Sequence, residues 1–234
     1  MRRCVLLFAW AILGVCARSG GQTAPTEKGV DLSSPKAALT AAYTALKNGD
    51  IAAAKNCMDF KDPRQAELFD ILYSQMYRPM KLMHLMEARF GPAGRIPFAN
   101  APLEKSIDDL LEKLKTTEIQ VNGETAMVVD KKAAVNPNAE NELTGITFKK
   151  QGEQWKIVAS TFTDSAGGGT AELPPDELRL MRALRDVLVA ACEATEARLA
   201  QGDFNTAEQA YSDYQTRLVQ GTRAADAAAT QKSR

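Results

Sequence analysis

Between Thr117 and Phe162, apolar and polar residues alternate in short runs, and this pattern predicts an antiparallel meander of about four strands. The Asn122-Gly123 pair predicts a tight hairpin turn, because a type I′ turn needs positive φ at both central residues. In the last strand, Trp155 and Ile157 share one face and Val158 lies on the other, which predicts cover on both sides. Because an isolated sheet of this kind does not stay folded in water, helices must pack on it.

Helical patterns precede the sheet. Ser34-Pro35 is typical of a helix start, with a Ser cap and a Pro at the first helical position. Gly49-Asp50 then predicts a hinge, so that residues 33–60 form a helical hairpin. A longer helical pattern, from Arg64 to Arg89, is predicted to be interrupted near Arg78-Pro79, since an interior proline breaks or kinks a helix.

Shorter sequence patterns predict the segments that come before and after the sheet. Arg95 to Pro102 is predicted as a loop or a short strand, and Leu103 to Lys115 as a helix with apolar residues three and four positions apart. After the sheet, Asp176 is predicted to cap a long helix, and Gly202-Asp203 to separate it from a second one. An apolar seam from Met181 to Leu199 must dock on the first domain, on a second copy or on another protein.

Together these patterns predict an α+β protein, with helices packed on a curved antiparallel sheet of about four strands and a C-terminal helical hairpin after it. Gly, Pro and polar stretches mark the boundaries of the predicted parts. These parts are a signal peptide (1–17), a polar tether (18–32), an α+β domain (33–163), a Gly/Pro linker (164–175), a helical hairpin (176–221) and a disordered tail (222–234).

The first residues predict export. Met1-Arg2-Arg3 is a positive n-region, and Cys4 to Val15 is an uncharged apolar run. This run is well short of the roughly 20 residues that a membrane span needs, and it is typical of a signal peptide. Small residues at its end predict cleavage near Ala17 and a periplasmic or secreted mature protein. Cys16 leaves open a lipid-anchored alternative, although Val15 stands where a lipobox has Gly, Ala or Ser.

The net charge and the number of cysteines exclude some classes of function for this chain. The 234 residues contain 29 Lys+Arg and 29 Asp+Glu, so the formal net charge is zero. Because nucleic-acid-binding domains normally have a basic excess, no nucleic-acid partner is predicted. Removal of the signal peptide leaves Cys57 and Cys192, which could pair in an oxidising compartment. The favoured interpretation is that both are buried small hydrophobes.

Two stretches resemble domains of the nuclear-transport-factor-2-like superfamily, the cone-shaped α+β fold shared with ketosteroid isomerase and polyketide cyclases. One is SPKAALTAAYTALKNGDIAAAK (34–55), and the other is KKQGEQWKIV (149–158). The resemblance covers residues 33–163 and is strongest to small exported bacterial domains of unknown function. It implies a cone-like domain in which a curved sheet wraps on a long helix, with a pocket at the open end. Ketosteroid isomerases use an Asp base with a Tyr/Asp oxyanion hole, and no residue here matches these by motif.

A Met-rich helical segment that contains the only histidine is the strongest candidate for chemistry. Packing of a helix into the concavity of a sheet is the favoured interpretation, since Met fills irregular gaps. A pocket for an apolar ligand is the second interpretation, and a Cu(I) site with thioether and imidazole ligands is the third. No metal or cofactor is predicted. The candidate pocket residues are Met76, Met80, Met83, His84 and Trp155.

These observations favour an exported, non-catalytic binding or assembly module of the cell envelope. The expected partners are a small apolar ligand, a second copy in a homodimer, or another envelope protein. Membrane contact is expected only through the signal peptide or a lipid on Cys16. The alternative is a small pocket enzyme of the isomerase/cyclase kind, in which His84 or a carboxylate acts as the base with Glu87, Tyr73 or Tyr77 nearby. We expect the last strand to be a further docking site, for the C-terminal hairpin or a second subunit.

Overall fold

The computed structural model describes residues 30–98, 103–129, 143–160 and 174–232. The predicted signal peptide, the lipid-anchor candidate Cys16, residues 18–29 of the tether and residues 161–173 around the linker lie outside the described residues. The helices are α1 (Pro35–Lys47), α2 (Ile51–Asn56), α3 (Pro63–Phe90), a 3-10 helix (Gly91–Phe98), α4 (Leu103–Thr116), α5 (Pro175–Gln201) and α6 (Ala207–Lys232). The strands are β1 (Met58–Asp59), β2 (Glu118–Asn122), β3 (Thr125–Val129), β4 (Thr147–Gln151) and β5 (Gln154–Val158).

Side-chain caps determine where α1, α2 and α3 begin. Ser34, Asp50 and Asp62 each accept a hydrogen bond from the backbone N–H three residues later, at 2.8–3.1 Å. Pro35 and Pro63 stand at the first helical position, where the missing N–H costs nothing. The predicted start of the first helix and the hinge before Asp50 are therefore confirmed.

The sheet has five strands in the order β1-β5-β4-β3-β2. Strands β2 to β5 form the predicted antiparallel meander. The prediction of a four-stranded antiparallel sheet is wrong, because β1 adds a strand parallel to β5, with Met58 opposite Ile157. β1 has two residues, too few to give an alternation pattern, and its partner lies far along the chain. The protein is thus α+β with a mixed sheet.

The long helix α3 is continuous from Pro63 to Phe90, so the predicted interruption near Arg78-Pro79 is wrong. Packing on both sides holds this helix. On one side, a Cβ added at Gly49 would lie 2.6 Å from the backbone N of Lys81, which means that the α1–α2 hinge rests directly on α3. On the other side, Arg78 pairs with a glutamate of α5. These contacts outweigh the hydrogen bond that the interior proline cannot make.

The chain after α3 also differs from the prediction. Residues 95–98, predicted as loop or strand, belong to the 3-10 helix. A Cβ at Gly94 would lie 2.2 Å from the carbonyl carbon of Met86, so this helix folds back against the last turns of α3. Only glycine permits such a close approach.

The two largest clusters of buried residues share α3, and a third, small cluster joins the start of α3 to α5. The larger lies between the sheet and helices α1, α2 and α4, and α3 contributes Phe69 and Met80 to it. The smaller lies between the C-terminal half of α3, the 3-10 helix, α5 and α6, and it includes Leu82, Met83 and Met86. Helix α3 is therefore the element that joins the sheet-containing part to the C-terminal helices.

α5 packs along α3, and α6 packs mainly on α5 and the 3-10 helix. Glu67 pairs with Arg182 near the start of α3 and α5. Arg78 pairs with Glu196 further along both helices, so the two run in the same direction. This arrangement buries the second half of the predicted apolar seam, from Ala191 to Leu199, and leaves its first half, from Met181 to Leu188, half-buried. The helices do not dock on the last strand as predicted; among the described residues their major contacts are with α3, with each other and with the 3-10 helix.

The ends of these helices lie elsewhere than predicted. α5 begins at Pro175 with Pro174 at the cap position, and Asp176 lies in the first turn instead of capping the helix. Pro175 is favourable at the first helical position, which explains this start. α6 continues to Lys232, past residue 221 where the sequence predicted a disordered tail. Its Ala-rich end has high helix propensity.

Candidate functional site

The structure distributes the candidate pocket residues over two cores and the surface. Met80 and Trp155 are both buried in the larger core, against the sheet. Met83 is buried in the smaller core between α3, α5 and α6. Met76 is 45% exposed, and His84 is half-buried. Only Met80 and Trp155 thus belong to the same cluster of side chains.

His84 contacts the end of another helix. Its Nε2 lies 3.1 Å from the backbone oxygen of Lys47, the last residue of α1. A carbonyl oxygen can only accept, so Nε2 carries the hydrogen and donates it. The last carbonyls of a helix have no partner within the helix, and an imidazole donor there is favourable. His84 therefore ties α1 and its hinge to α3.

The groups expected near His84 also have structural partners. Phe69, Tyr73 and Tyr77 stack one after another along α3, with ring centroids 4.2 Å and 5.7 Å apart. Burial raises the pKa of both tyrosine hydroxyls above the ordinary value. Each phenol is therefore protonated at neutral pH. Glu87 accepts a hydrogen bond from Arg95 Nε at 2.8 Å.

Cys57 and Cys192 are free and buried in different cores. Cys57 packs near the sheet, and burial raises its pKa to about 11. Cys192 packs between α3 and α5, and burial raises its pKa to about 12. Both thiols remain protonated at neutral pH and are poor nucleophiles. The interpretation of both as buried small hydrophobes is confirmed.

A shallow groove of about 440 Å³ lies between α1 and α4. Its lining is more apolar than polar, and its polar side chains already have partners: Lys36 Nζ donates to the backbone oxygen of Lys115 at 2.7 Å, and Asp108 pairs with Lys47 at 2.6 Å. Thr40 lines the groove, but its hydroxyl donates to a carbonyl of its own helix. These polar groups thus bond to one another or to the backbone, and none of the predicted pocket residues lines this groove.

The outer face of the sheet carries a mixture of apolar and basic side chains. Met127, on β3, is 43% exposed near the middle of this face. Lys149 and Lys156 lie directly opposite each other on β4 and β5. Like charges in this arrangement repel, and Lys156 Nζ relieves the repulsion in part by donating to the backbone oxygen of Asn56. Among the described residues, no helix makes a major contact with this face.

The edge strand β2 is the most exposed element of the sheet. Val121 points toward the buried face of the sheet, opposite Ala126, yet it is 54% exposed because the sheet ends there. Sequence reasoning treated this strand only as part of the hairpin and did not identify its edge as a site. The available signal was the run Glu118–Asn122, an alternating strand with no Lys or Pro, the residues that usually protect an edge.

The described part of the chain offers no metal centre, since no group of three or more His, Cys, Asp or Glu side chains there is arranged to hold an ion. Within the same ranges, no helix has the length and apolar content that crossing a membrane requires.

Comparisons of the chain with protein-family models, curated proteins and solved structures found no match. The resemblance to the nuclear-transport-factor-2-like superfamily therefore stays a prediction.

Proposed function

We propose that this protein is an exported, non-catalytic binding or assembly module of the cell envelope, and that it contacts its partner through the free edge of the sheet at β2. The observation that carries the proposal is the exposure of Val121, an apolar residue of an unprotected edge strand. Within the described ranges no strand pairs with the outer side of β2, and an edge of this kind is a template on which another chain can add a strand.

The roles of the titratable groups favour binding over catalysis. A general base needs a free position within reach of a substrate proton and a pKa near the working pH. Tyr73 and Tyr77 are stacked in the core with raised pKa values, and the Nε2 of His84 is engaged at the end of α1. A pocket enzyme that uses these groups would first have to break the contacts between α1 and α3.

The superfamily resemblance and export are parts of the same proposal. The order of elements from α1 to β5 supports a cone-like domain: a capped hairpin, one long helix and a meander packed on the helices.

The N-terminal apolar run supports export. Mass measurement of the protein from its host tests the second point, because cleavage near Ala17 predicts loss of the first residues.

Site-specific photocrosslinking in the host tests the binding surface. A benzophenone amino acid replaces Val121 in one variant and Leu180 in a matched control; both positions are exposed apolar residues, but Leu180 lies on α5. We expect a discrete protein adduct from position 121 on irradiation and none from position 180.

The mass and composition of the crosslinked adduct decide whether the proposed function holds. An adduct from 121 with any single protein supports the proposed function. No adduct from 121, or adducts of equal yield from both positions, would contradict it.

A further inference from the structure

We infer that the partner at the β2 edge is a second copy of this chain, which pairs with β2 in antiparallel fashion about a twofold axis at Gln120. This inference rests on the proposed function and names its partner. It is carried by three properties of the edge: the direction of its backbone groups, the match of its side chains with themselves and the absence of Lys and Pro.

The backbone groups at the open edge can be assigned from the register. Val128 N–H donates to the backbone oxygen of Ile146 on the β4 side, at 2.9 Å. Even-numbered residues of β3 therefore face β4, and odd-numbered residues face β2. Gln120 lies opposite an odd-numbered residue, so its backbone groups face β3. By alternation, Ile119 and Val121 direct their N–H and C=O groups to the open edge.

Antiparallel pairing about Gln120 uses all of these open groups. Ile119 of one copy comes opposite Val121 of the other, as a hydrogen-bonded pair, and the twofold axis repeats the pair. Four backbone hydrogen bonds would join the two copies. The two Gln120 residues meet at the axis as a non-hydrogen-bonded pair.

The side chains of this register match by polarity and charge. Ile119 and Val121 both point to the buried face of the sheet, so the pairing extends the apolar layer across the axis. On the outer face, Gln120 meets its own copy, and Glu118 meets the uncharged Asn122. No like charges come opposite each other, whereas joining two copies through the outer face would bring lysines together.

The two edges of the sheet differ in protection. β1, at the other end, has only two residues, and Asp59 there accepts a hydrogen bond from Gln151 at 2.6 Å. Very short edge strands resist further pairing. β2 has five residues and neither Lys nor Pro. Strand pairing of this length is small beside the roughly 1,200–2,000 Å² of a stable interface, so we expect a concentration-dependent dimer.

Disulfide trapping tests the register of this dimer. In Gln120→Cys, the two Cα atoms at the axis would be about 4.5 Å apart, which a disulfide can bridge. In the control Glu118→Cys, also exposed on the outer face, the two copies of residue 118 would be about 13 Å apart along the strands, beyond the reach of a disulfide. The native Cys57 and Cys192 are buried and do not interfere.

We expect mild oxidation of the mature protein to yield covalent dimer from Gln120→Cys and little or none from Glu118→Cys. Equal yields from both variants, or no dimer from Gln120→Cys, would overturn the proposed pairing. If the photocrosslink at position 121 still captures a different protein, the proposed function survives and only the self-pairing fails.

A second pair of variants separates edge pairing from misfolding. Val121→Pro removes one outward N–H, a change that an edge strand tolerates, whereas Val121→Thr keeps the N–H and the β-branched side chain.

In light scattering across a concentration series, we expect the mass of wild type and Val121→Thr to rise toward two chains and that of Val121→Pro to stay at one. Equal thermal unfolding of the two variants at low concentration serves as the control. Persistence of the dimer in Val121→Pro, or one-chain mass for wild type throughout, would contradict the inference.

Discussion

The imidazole of His84 links α3 to the last residue of α1 through one hydrogen bond, 3.1 Å long. Beside it, Gly49 packs against the backbone of α3 so closely that a Cβ there would overlap Lys81 N. The single histidine of the chain thus works together with a glycine that must take φ +67°. Both residues fix the hinge between α1 and α2 on the long helix.

Replacement of His84 tests this role. We expect His84→Ala to lower the free energy of unfolding by about 0.5–1.5 kcal/mol, the net contribution of one part-buried hydrogen bond. His84→Gln, which can still donate, should recover part of the loss. Urea unfolding measures both, with Met76→Ala as a control on the exposed side of the same helix. An unchanged midpoint in His84→Ala would argue that the imidazole is free for another task.

Local signals explain which residue roles could be predicted from sequence. The Ser34 cap and the Asp50 hinge have their partners within three residues, and both predictions are confirmed. The role of His84 could not be predicted, because its partner is a backbone oxygen 37 residues away. A helical pattern that contains Met and His is compatible with a core, a pocket or a metal site until the neighbours are known.

At the scale of elements, charged side chains hold α5 against α3. Arg78 Nη1 lies 2.5 Å from Glu196 Oε1, and both side chains are nearly buried, at 11% and 13% exposure. Lys81 joins the same carboxylate at 3.1 Å. This cluster lies beside Pro79, at the point where the sequence predicted an interruption, and it helps to keep α3 continuous there.

We expect Arg78→Ala to lower the free energy of unfolding by about 3 kcal/mol, the low end for breaking a buried ion pair, since Lys81 still contacts Glu196. The matched control is Arg179→Ala on α5, whose surface pair with Asp176 should contribute about 0–1 kcal/mol. Chemical denaturation measures both. Equal losses in the two variants would contradict the structural role of the buried pair.

Asp213 makes the stability of the α5–α6 pair sensitive to acid. Burial by itself would raise the pKa of this carboxyl, but hydrogen bonds from Arg217 and Thr195 and the charge of Arg198 outweigh burial and lower the pKa below the ordinary value. The folded-state pKa therefore lies below that of the unfolded chain. The stabilisation is complete above the unfolded value of about 3.9 and disappears as the pH falls through the folded one.

We therefore expect Asp213→Asn to unfold more easily at neutral pH and to lose less stability than wild type on acidification below about pH 4. Thermal unfolding at a series of pH values measures the difference between the two curves. Parallel curves for the two proteins would show that this carboxyl keeps its ordinary pKa on folding.

Elements could be predicted where their signal lies within their own sequence. The meander and the two C-terminal helices were predicted from alternation and helical spacing. β1 was missed because two residues carry no pattern, and its pairing depends on β5. Continuity through Pro79 was missed because it depends on packing against α1 and α5. These features are properties of pairs of elements, not of single segments.

At the scale of the whole molecule, α3 joins the cores, and the edge of the sheet is the proposed contact surface. The Met-rich segment that attracted functional hypotheses divides its side chains between two cores and thereby joins them. Meanwhile β2, predicted only as half of a hairpin, exposes an apolar residue and open backbone groups at the end of the sheet. Function is thus expected at the periphery of the sheet and not in the interior beside α3.

Native mass spectrometry after brief lysine crosslinking, on the protein purified from its host, distinguishes a functional surface at the sheet edge from a site beside α3. Wild type is compared with Val121→Pro and with the double variant Met83→Leu/His84→Gln. We expect wild type and the double variant to carry a protein partner that Val121→Pro lacks, and no small molecule or metal in any of them. A stoichiometric small molecule or metal ion in wild type, lost from the double variant and kept by Val121→Pro, would contradict this and place the function beside α3.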